Sequence, residues 1–272
     1  MKAVRITLRY AILVFVAVIM VFPFYWMLIT SLKTNSEVLL YPPTFFPRQF
    51  TLKHFSAILS DAIFPRYLLN SIIVVGISTV ISVFTSTIGG YIFAKFRFPG
   101  HGLIFILFLA TTMIPFQTYM VPFYLLMKNL KLVNTYLGIM LPLFLTSFGI
   151  FFIRQNALGI PDDLLDAARI DGAREWFIFS RIALKLLKPP VAAIAIFNAM
   201  FGWKFFIWPL IITNSPRKFV LEIGLASLAN KNAMDYGLQM AGAVFSILPV
   251  LVVFLLLRQR FVRGVTMTGL KS

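Results

Sequence analysis

Six stretches of about twenty mainly apolar residues, separated by polar segments of unequal length, set the pattern of this chain. Each is long enough to cross the hydrocarbon core of a bilayer as a helix. The pattern predicts spans over about 10–32, 68–94, 103–127, 136–153, 191–213 and 238–257. The whole of 1–272 reads as one all-α transmembrane domain with two long loops, 33–67 and 154–190. Lys2, Arg5 and Arg9 precede the first run as in a secretory signal. The run is too long for one and no small-residue cleavage site follows, so a retained helix is expected.

The spans are not plain anchors. The second carries Gly76, Ser78, Ser82, Ser86, Gly89 and Gly90, and small residues let helix backbones approach closely. The third holds Pro115 and Pro122 with Gln117, Thr118 and Tyr119 between them. Proline removes a backbone donor, and a carbonyl freed at membrane depth needs protein or a water-filled cavity beside it. A pathway-lining helix and a buried structural kink both fit.

Composition fixes the class. The 272 residues are 60% hydrophobic and 12% charged, with a mean hydropathy of +0.89. A soluble domain carries about 25% charge, so this apolar excess is expected to face lipid. The net charge of +16 does not point to nucleic acid, because the bases cluster at the ends of apolar runs, where they meet lipid phosphates. With the N-terminus inside, the inner segments 1–9, 95–102, 154–190 and 258–272 hold 15 Lys and Arg against 9 in the outer ones. That bias predicts both termini in the cytoplasm. Cysteine is absent, and His54 and His101 lack metal-ligand spacing; both are expected to be solvated loop residues.

The segment 154–190 has its own helical grammar. Pro161 followed by Asp162 and Asp163 suits a first helical turn, predicting a short helix over about 161–170. Asp171-Gly172 reads as a turn. A second helix is expected over about 173–187, with Trp176, Phe179, Ile182, Ala183 and Leu186 as its apolar stripe and Arg174, Arg181, Lys185 and Lys188 opposite. An interfacial helix that merely closes the bundle would look similar. The small residues Ala167, Ala168, Gly172 and Ala173 add a low-profile knuckle that suits docking into a groove on a partner.

This run resembles the cytoplasmic loop motif of ATP-binding cassette (ABC) importer permeases, Glu-Ala-Ala, three residues, then Gly. Met113-Ile114-Pro115, Pro122-Phe123-Tyr124, Asn134-Thr135, Phe148-Gly149-Ile150-Phe151, Arg154-Gln155 and Trp208-Pro209-Leu210 extend the resemblance to the carbohydrate-uptake branch. Gln259-Arg260 with Gly264, Thr266 and Gly269 do the same. The resemblance implies a six-helix type I ABC importer permease fold in a bacterial inner membrane. It implies a second, different permease subunit, two ATPase subunits inside and a solute-binding protein outside. ATP and Mg would sit on the ATPases and no cofactor on this chain. Asp166 takes the glutamate place, Ala167 and Ala168 the paired alanines, and Asp171-Gly172 with Ala173 the turn; together they would form the ATPase-coupling element. The chain departs from the family in three places: the shorter Asp166, Lys185 where proline is usual, and Lys204 after Trp203, where an Asn-Asp or Asn-Glu pair is common.

Lys204 falls nine residues before the expected outer end of the fifth span, roughly 13 Å deep at 1.5 Å per residue. A lysine there is expected to face a cavity or to snorkel, since the spans hold no acid to pair with it. In the first case Lys204, with Asn198, Gln117 and Tyr119, lines the translocation pathway and favours an anionic cargo, a uronate-bearing oligosaccharide or a phosphorylated polyol such as glycerol phosphate. No Walker A loop is present, so hydrolysis falls to another subunit and the chain is not expected to be an enzyme. A self-sufficient secondary transporter is the competing class, but neither an internal repeat nor intramembrane acids appear.

Overall fold

In the computed structural model, residues 2–61, 63–231 and 234–266 are described. Of the C-terminal positions that carry the resemblance, Gly269 and the side chains of Gln259, Arg260 and Thr266 lie outside the described residues. The described chain is helical throughout, with no strand among the described residues. In order it forms α1 (Lys2–Ser31), α2 (Asn35–Val38), α3 (Lys53–Ser60), α4 (Phe64–Lys95), α5 (His101–Ala110), α6 (Phe116–Asn129), α7 (Tyr136–Met140) and α8 (Ser147–Ala157). Then follow α9 (Asp162–Ile170), α10 (Glu175–Phe177), a π-helical turn (Ile178–Ala183), α11 (Leu184–Leu186), α12 (Lys188–Trp203), α13 (Ile207–Ile212), α14 (Leu221–Lys231) and α15 (Tyr236–Thr266).

Helices occupy all six stretches where spans were expected, but among the described residues two single helices, in α1 and α4, are long and apolar enough to cross a membrane. The third is two limbs, His101–Met113 and Phe116–Asn129, set at 101°. Ile114 precedes Pro115 and is extended there (φ −90°, ψ 113°), as the clash of the proline ring with the preceding residue demands. The fourth bends by 41° between Tyr136–Leu143 and Ser147–Ala157. The fifth stops at Trp203 and resumes as α13. A continuous helix would have left the Phe205 carbonyl without a donor, because Pro209 has no N–H. The sixth is the apolar part of α15, Tyr236–Val252.

The contacts divide the chain into two compact units, 1–68 with 223–249, and 69–222 with 250–272. In the first unit, α1 is unburied by its own chain across its apolar window. The loop after it closes on a polar knot. The Glu37 carboxylate accepts hydrogen bonds from the Thr44 hydroxyl (2.8 Å) and from the Arg48 (2.8 Å) and Gln49 (3.4 Å) amides. Lys33 Nζ donates to the Thr44 carbonyl and lies 4.8 Å from the Trp26 ring. His54 is not a solvated loop residue. It is buried in α3, where Nε2 donates to the Lys33 carbonyl (2.9 Å) and Nδ1 lies 3.5 Å from Asp235. Its ring also packs on Gly237, where a Cβ would lie 2.3 Å away. His101 likewise opens α5 and donates to the Phe93 carbonyl (2.9 Å).

In the second unit the small residues of α4 do what their spacing suggests. A Cβ on Gly90 would lie 2.6 Å from Ile153 Cβ and 2.9 Å from the Arg154 amide, and one on Gly89 3.0 Å from Ile150. Gly149 of α8 returns the contact against Ser86. Thr85 donates to the Phe144 carbonyl at 2.7 Å, and Asn198 of α12 donates to Ser82 at 2.9 Å. Gly76 departs from the expectation, since it is exposed with open space around it.

Gly90→Ala should force α8 away from α4, a cost of about 1–3 kcal/mol for an overpacked interior, read as a lower midpoint of thermal unfolding in detergent. Burial alone would raise the Glu37 pKa, but the Arg48, Thr44 and Gln49 donors and the Lys33 charge together hold it below the usual carboxylate range. The knot's stabilisation by that charge is therefore full above the ordinary carboxylate pKa and is lost as pH falls through the lowered one. Protection factors of the amides over 33–49 should fall with acidification in the native chain, and in Glu37→Gln they should be low at every pH.

Candidate functional site

The loop 154–190 forms the two helical limbs its sequence predicts, over a shared floor. Leu165 of α9 and Ile178, Phe179, Ala183 and Leu187 are buried in one cluster with Tyr91 and Ala94 of α4, Ile153 and Ala157 of α8, and Ile194 of α12. The expected stripe on the second limb holds at Phe179, Ile182 and Ala183, which pack into or against this cluster, and fails at its ends. Trp176 and Leu186 are 65% and 50% exposed, while Ile178 and Leu187 are buried. The π-helical turn is the reason. Its wider pitch puts residues five apart on one face, so Ile178 and Ala183 align and the apolar face turns. This limb then meets α12 at 78°.

The knuckle is a hydrogen-bonded stop. The Ala173 amide donates to the Ala168 carbonyl (2.9 Å) and the Gly172 amide to the Arg169 carbonyl (3.0 Å). This pair of bonds is the Schellman motif, and it needs a left-handed residue at the position Gly172 fills at φ +82°. Beside it lies an open surface cavity of about 560 Å³ lined by Ala168, Asp171, Gly172, Ala173, Arg174, Phe177 and Ile182. Ile170, Trp176 and Phe177 stand exposed around it. Apolar side chains gathered on an otherwise polar loop suit contact with another protein or with the membrane surface.

Charge holds this shape. Arg169 bridges the limbs: Nη1 donates to Asp166 at 2.6 Å, while Nε and Nη2 donate to the two Glu175 oxygens at 2.7 and 3.3 Å. Glu175 and then Asp166 push the Arg169 pKa further up. Asp166 is thus engaged within its own loop, and Glu175 is a structural residue the motif does not mark. At the other end of α9, Lys95 Nζ donates to the Ile160 carbonyl (2.5 Å) and to Asp162 Oδ1 (2.6 Å). The lysine's hydrogen bond and charge hold the Asp162 carboxyl below its usual range.

The pathway candidates separate. The Phe116 ring lies 5.9 Å from Phe205 and 5.7 Å from Trp208, with Tyr119 at 5.2 Å on its other side. Phe123 lies 4.9 Å from Trp208. The two broken spans therefore meet through aromatic rings, bringing the Gln117–Tyr119 turn close to the turn of Lys204 and Phe205. Gln117 and Tyr119 are exposed, and so is Lys204. Lys204 follows the last residue of α12, at the break between α12 and α13, where a cation complements the helix dipole. Asn198 is not at this mouth; its amide is spent on Ser82.

The family of binding-protein-dependent transport system inner membrane components matches residues 86–266. The chain is 37% identical over 261 residues to the arabinooligosaccharides transport system permease protein AraQ of Halalkalibacterium halodurans, covering 95% of this chain and 94% of that one. It is 32% identical over 256 residues to the lactose transport system permease protein LacG of Rhizobium radiobacter, covering 94% and 93%. A crystal structure of a bacterial ABC transporter involved in the import of the acidic polysaccharide alginate superposes with a TM-score of 0.84 over 96% of this chain and 97% of that one. At 22% identity this likeness shows the fold alone. The chain belongs to the family of binding-protein-dependent transport system inner membrane components, and within it to the carbohydrate-uptake permeases of ABC importers.

Because Arg169 joins both limbs, Arg169→Ala should speed proteolytic cleavage at 171–174 severalfold, in keeping with the modest worth of exposed ion pairs. Asp166→Ala should do less, since the bidentate pair with Glu175 survives; equal effects would show that the bridge does not order the loop.

Proposed function

We propose that this chain is one permease subunit of an ATP-driven importer of sugars or oligosaccharides, inserted with both termini and the loop 154–190 in the cytoplasm. The observation that carries the reading is the loop itself: a rigid Schellman turn beside an open cavity of about 560 Å³, ringed by exposed apolar side chains. An ATPase subunit is the partner that fits it. ATP and Mg belong to two such subunits, a second and different permease completes the membrane unit, and a solute-binding protein delivers cargo outside. Asp166, Ala167, Ala168, Asp171, Gly172 and Ala173 make the coupling element. AraQ and LacG, named for arabinooligosaccharides and lactose, support a carbohydrate cargo.

Acidic oligosaccharides are the finer reading. The aromatic shelf of Phe116, Tyr119 and Phe205 offers ring faces on which sugar rings stack, and exposed Lys204 adds a cation beside it. That cation would equally favour a phosphorylated polyol. Ligand-stimulated ATPase of the assembled complex, run with neutral oligosaccharides, uronate oligosaccharides and glycerol phosphate, separates these cargoes. In the Lys204→Ala complex the half-saturating concentration of the anionic ligand should rise about tenfold, the worth of one charge-assisted contact. An unchanged value would remove Lys204 from the pathway.

A further inference from the structure

We propose that Lys95 is the positioning residue through which displacement of α9 reaches α4. The proposal rests on the reading of α9 as part of the ATPase-facing element. Lys95 is the last residue of α4, and its side chain is 4% exposed. Its ammonium is bonded to the two residues that flank Pro161: the Ile160 carbonyl, just before α9, and the Asp162 carboxylate, the first residue of α9.

The loop is joined by the chain itself to α8 on one side and to α12 on the other. No such connection runs to α4. The other ties to α4 in this region are the hydrogen bond from Arg154 Nε, in the last turn of α8, to the Phe93 carbonyl (3.0 Å), which does not touch α9, and the apolar cluster of Leu165, Ile178 and Phe179 with Tyr91 and Ala94. Apolar contacts have no preferred direction and allow sliding. Charge-assisted hydrogen bonds are short and directional, and do not. An aspartate is ionised at physiological pH, and the Lys95 hydrogen bond and charge hold Asp162 lower still. A pull on the start of α9 is thus delivered to the end of α4. From there it spreads, since α4 is locked to α8 at Gly89 and Gly90 and to α12 through Ser82 and Asn198. Lys95 turns a helix that merely lies under the loop into one that moves with it.

The absence of cysteine makes the test direct. Spin labels at Asp163→Cys on α9 and Val80→Cys on the exposed side of α4 report the separation of the two helices in the full complex with its ATPases. In the native background that distance should keep one narrow distribution when Mg-ATP and orthovanadate trap the closed ATPases. In Lys95→Met and in Asp162→Asn, whose side chain is 74% exposed in the native chain and so tolerates change, trapping should shift or broaden it by several ångström. Lys95→Arg, which keeps the charge and both bonds, should behave as native. The same distribution in all four proteins, or a shift in the native one, would overturn the proposal. A label at Ala168→Cys keeps the two readings apart. If it is not immobilised on adding the ATPases, the docking assignment fails; if it is immobilised and Lys95→Met still behaves as native, only Lys95 is wrong.

Discussion

Helices in lipid are not pressed together by water, because acyl chains are as apolar as the side chains they would exchange for. What holds the second unit together is therefore close approach, and the closest is that of α4 to α8. At Gly90 the α8 backbone comes near enough that a single methyl group would touch the Arg154 amide. Backbones that close let short polar side chains reach across, so Thr85 bonds the Phe144 carbonyl and Ser86 faces Thr146. The same face of α4 offers Ser82 to Asn198, which fixes α12. The floor under the loop then follows, because Tyr91 directly follows Gly90, Ala94 lies one turn on, and both join Leu165 and Phe179 in the buried cluster.

A second constraint is the fate of backbone groups where spans break. Pro142 has no N–H to offer the carbonyl of Gly138, and the Trp208 indole donates to that oxygen instead, at 2.9 Å. Trp208 stands at the start of α13, beyond the break in the fifth span. At the other end of α13 the Asn134 amide donates to the Ile212 carbonyl at 2.7 Å, and Asn134, held at φ +60°, accepts the Ser215 amide on its side chain. Two interrupted spans thus complete each other's hydrogen bonding. Irregular backbone at membrane depth persists only where protein or a cavity satisfies it. The breaks sit beside the rings of Phe116, Phe205 and Trp208, which pack the two spans together.

These relations divide what the sequence could tell from what it could not. Apolar run length is a local property, so the places of the six apolar helical stretches were legible, as were α9 and the turn at Gly172. The bends were only half legible. Pro115 announced a kink, but its size depends on Phe116 finding Phe205 and Trp208 from another span. The stripe on the second limb was legible at Phe179, Ile182 and Ala183 and misread at Trp176 and Leu186, because an α-helical period was assumed where a π-helical turn intervenes. His54 was taken for a solvated loop residue because nothing nearby shows that Asp235, 181 positions on, faces it. Lys95 and Asp162 carry no signal of their partnership, for 67 positions and two spans separate them.

Asp166 shows how a small departure changes the chemistry of a surface. A glutamate at this position would carry its carboxylate one methylene further from the helix. The shorter aspartate is held by Arg169 at 2.6 Å, and Arg169 in turn by Glu175. With those charges satisfying one another, what the knuckle presents is mostly shape and apolar area: Ala168, Gly172, Ala173, Phe177 and Ile182, with Asp171 and Arg174 as the charged rim. Apolar area in a fitted cleft supplies affinity without demanding one partner charge at one place, while rim charges act more on encounter and specificity. The ion pairs lie one step back from this surface and join α9 to the second limb, so that in the proposed docking the apolar surface would meet the ATPase already formed. A surface ordered beforehand loses less entropy on docking, and a push on it moves the whole loop instead of deforming it.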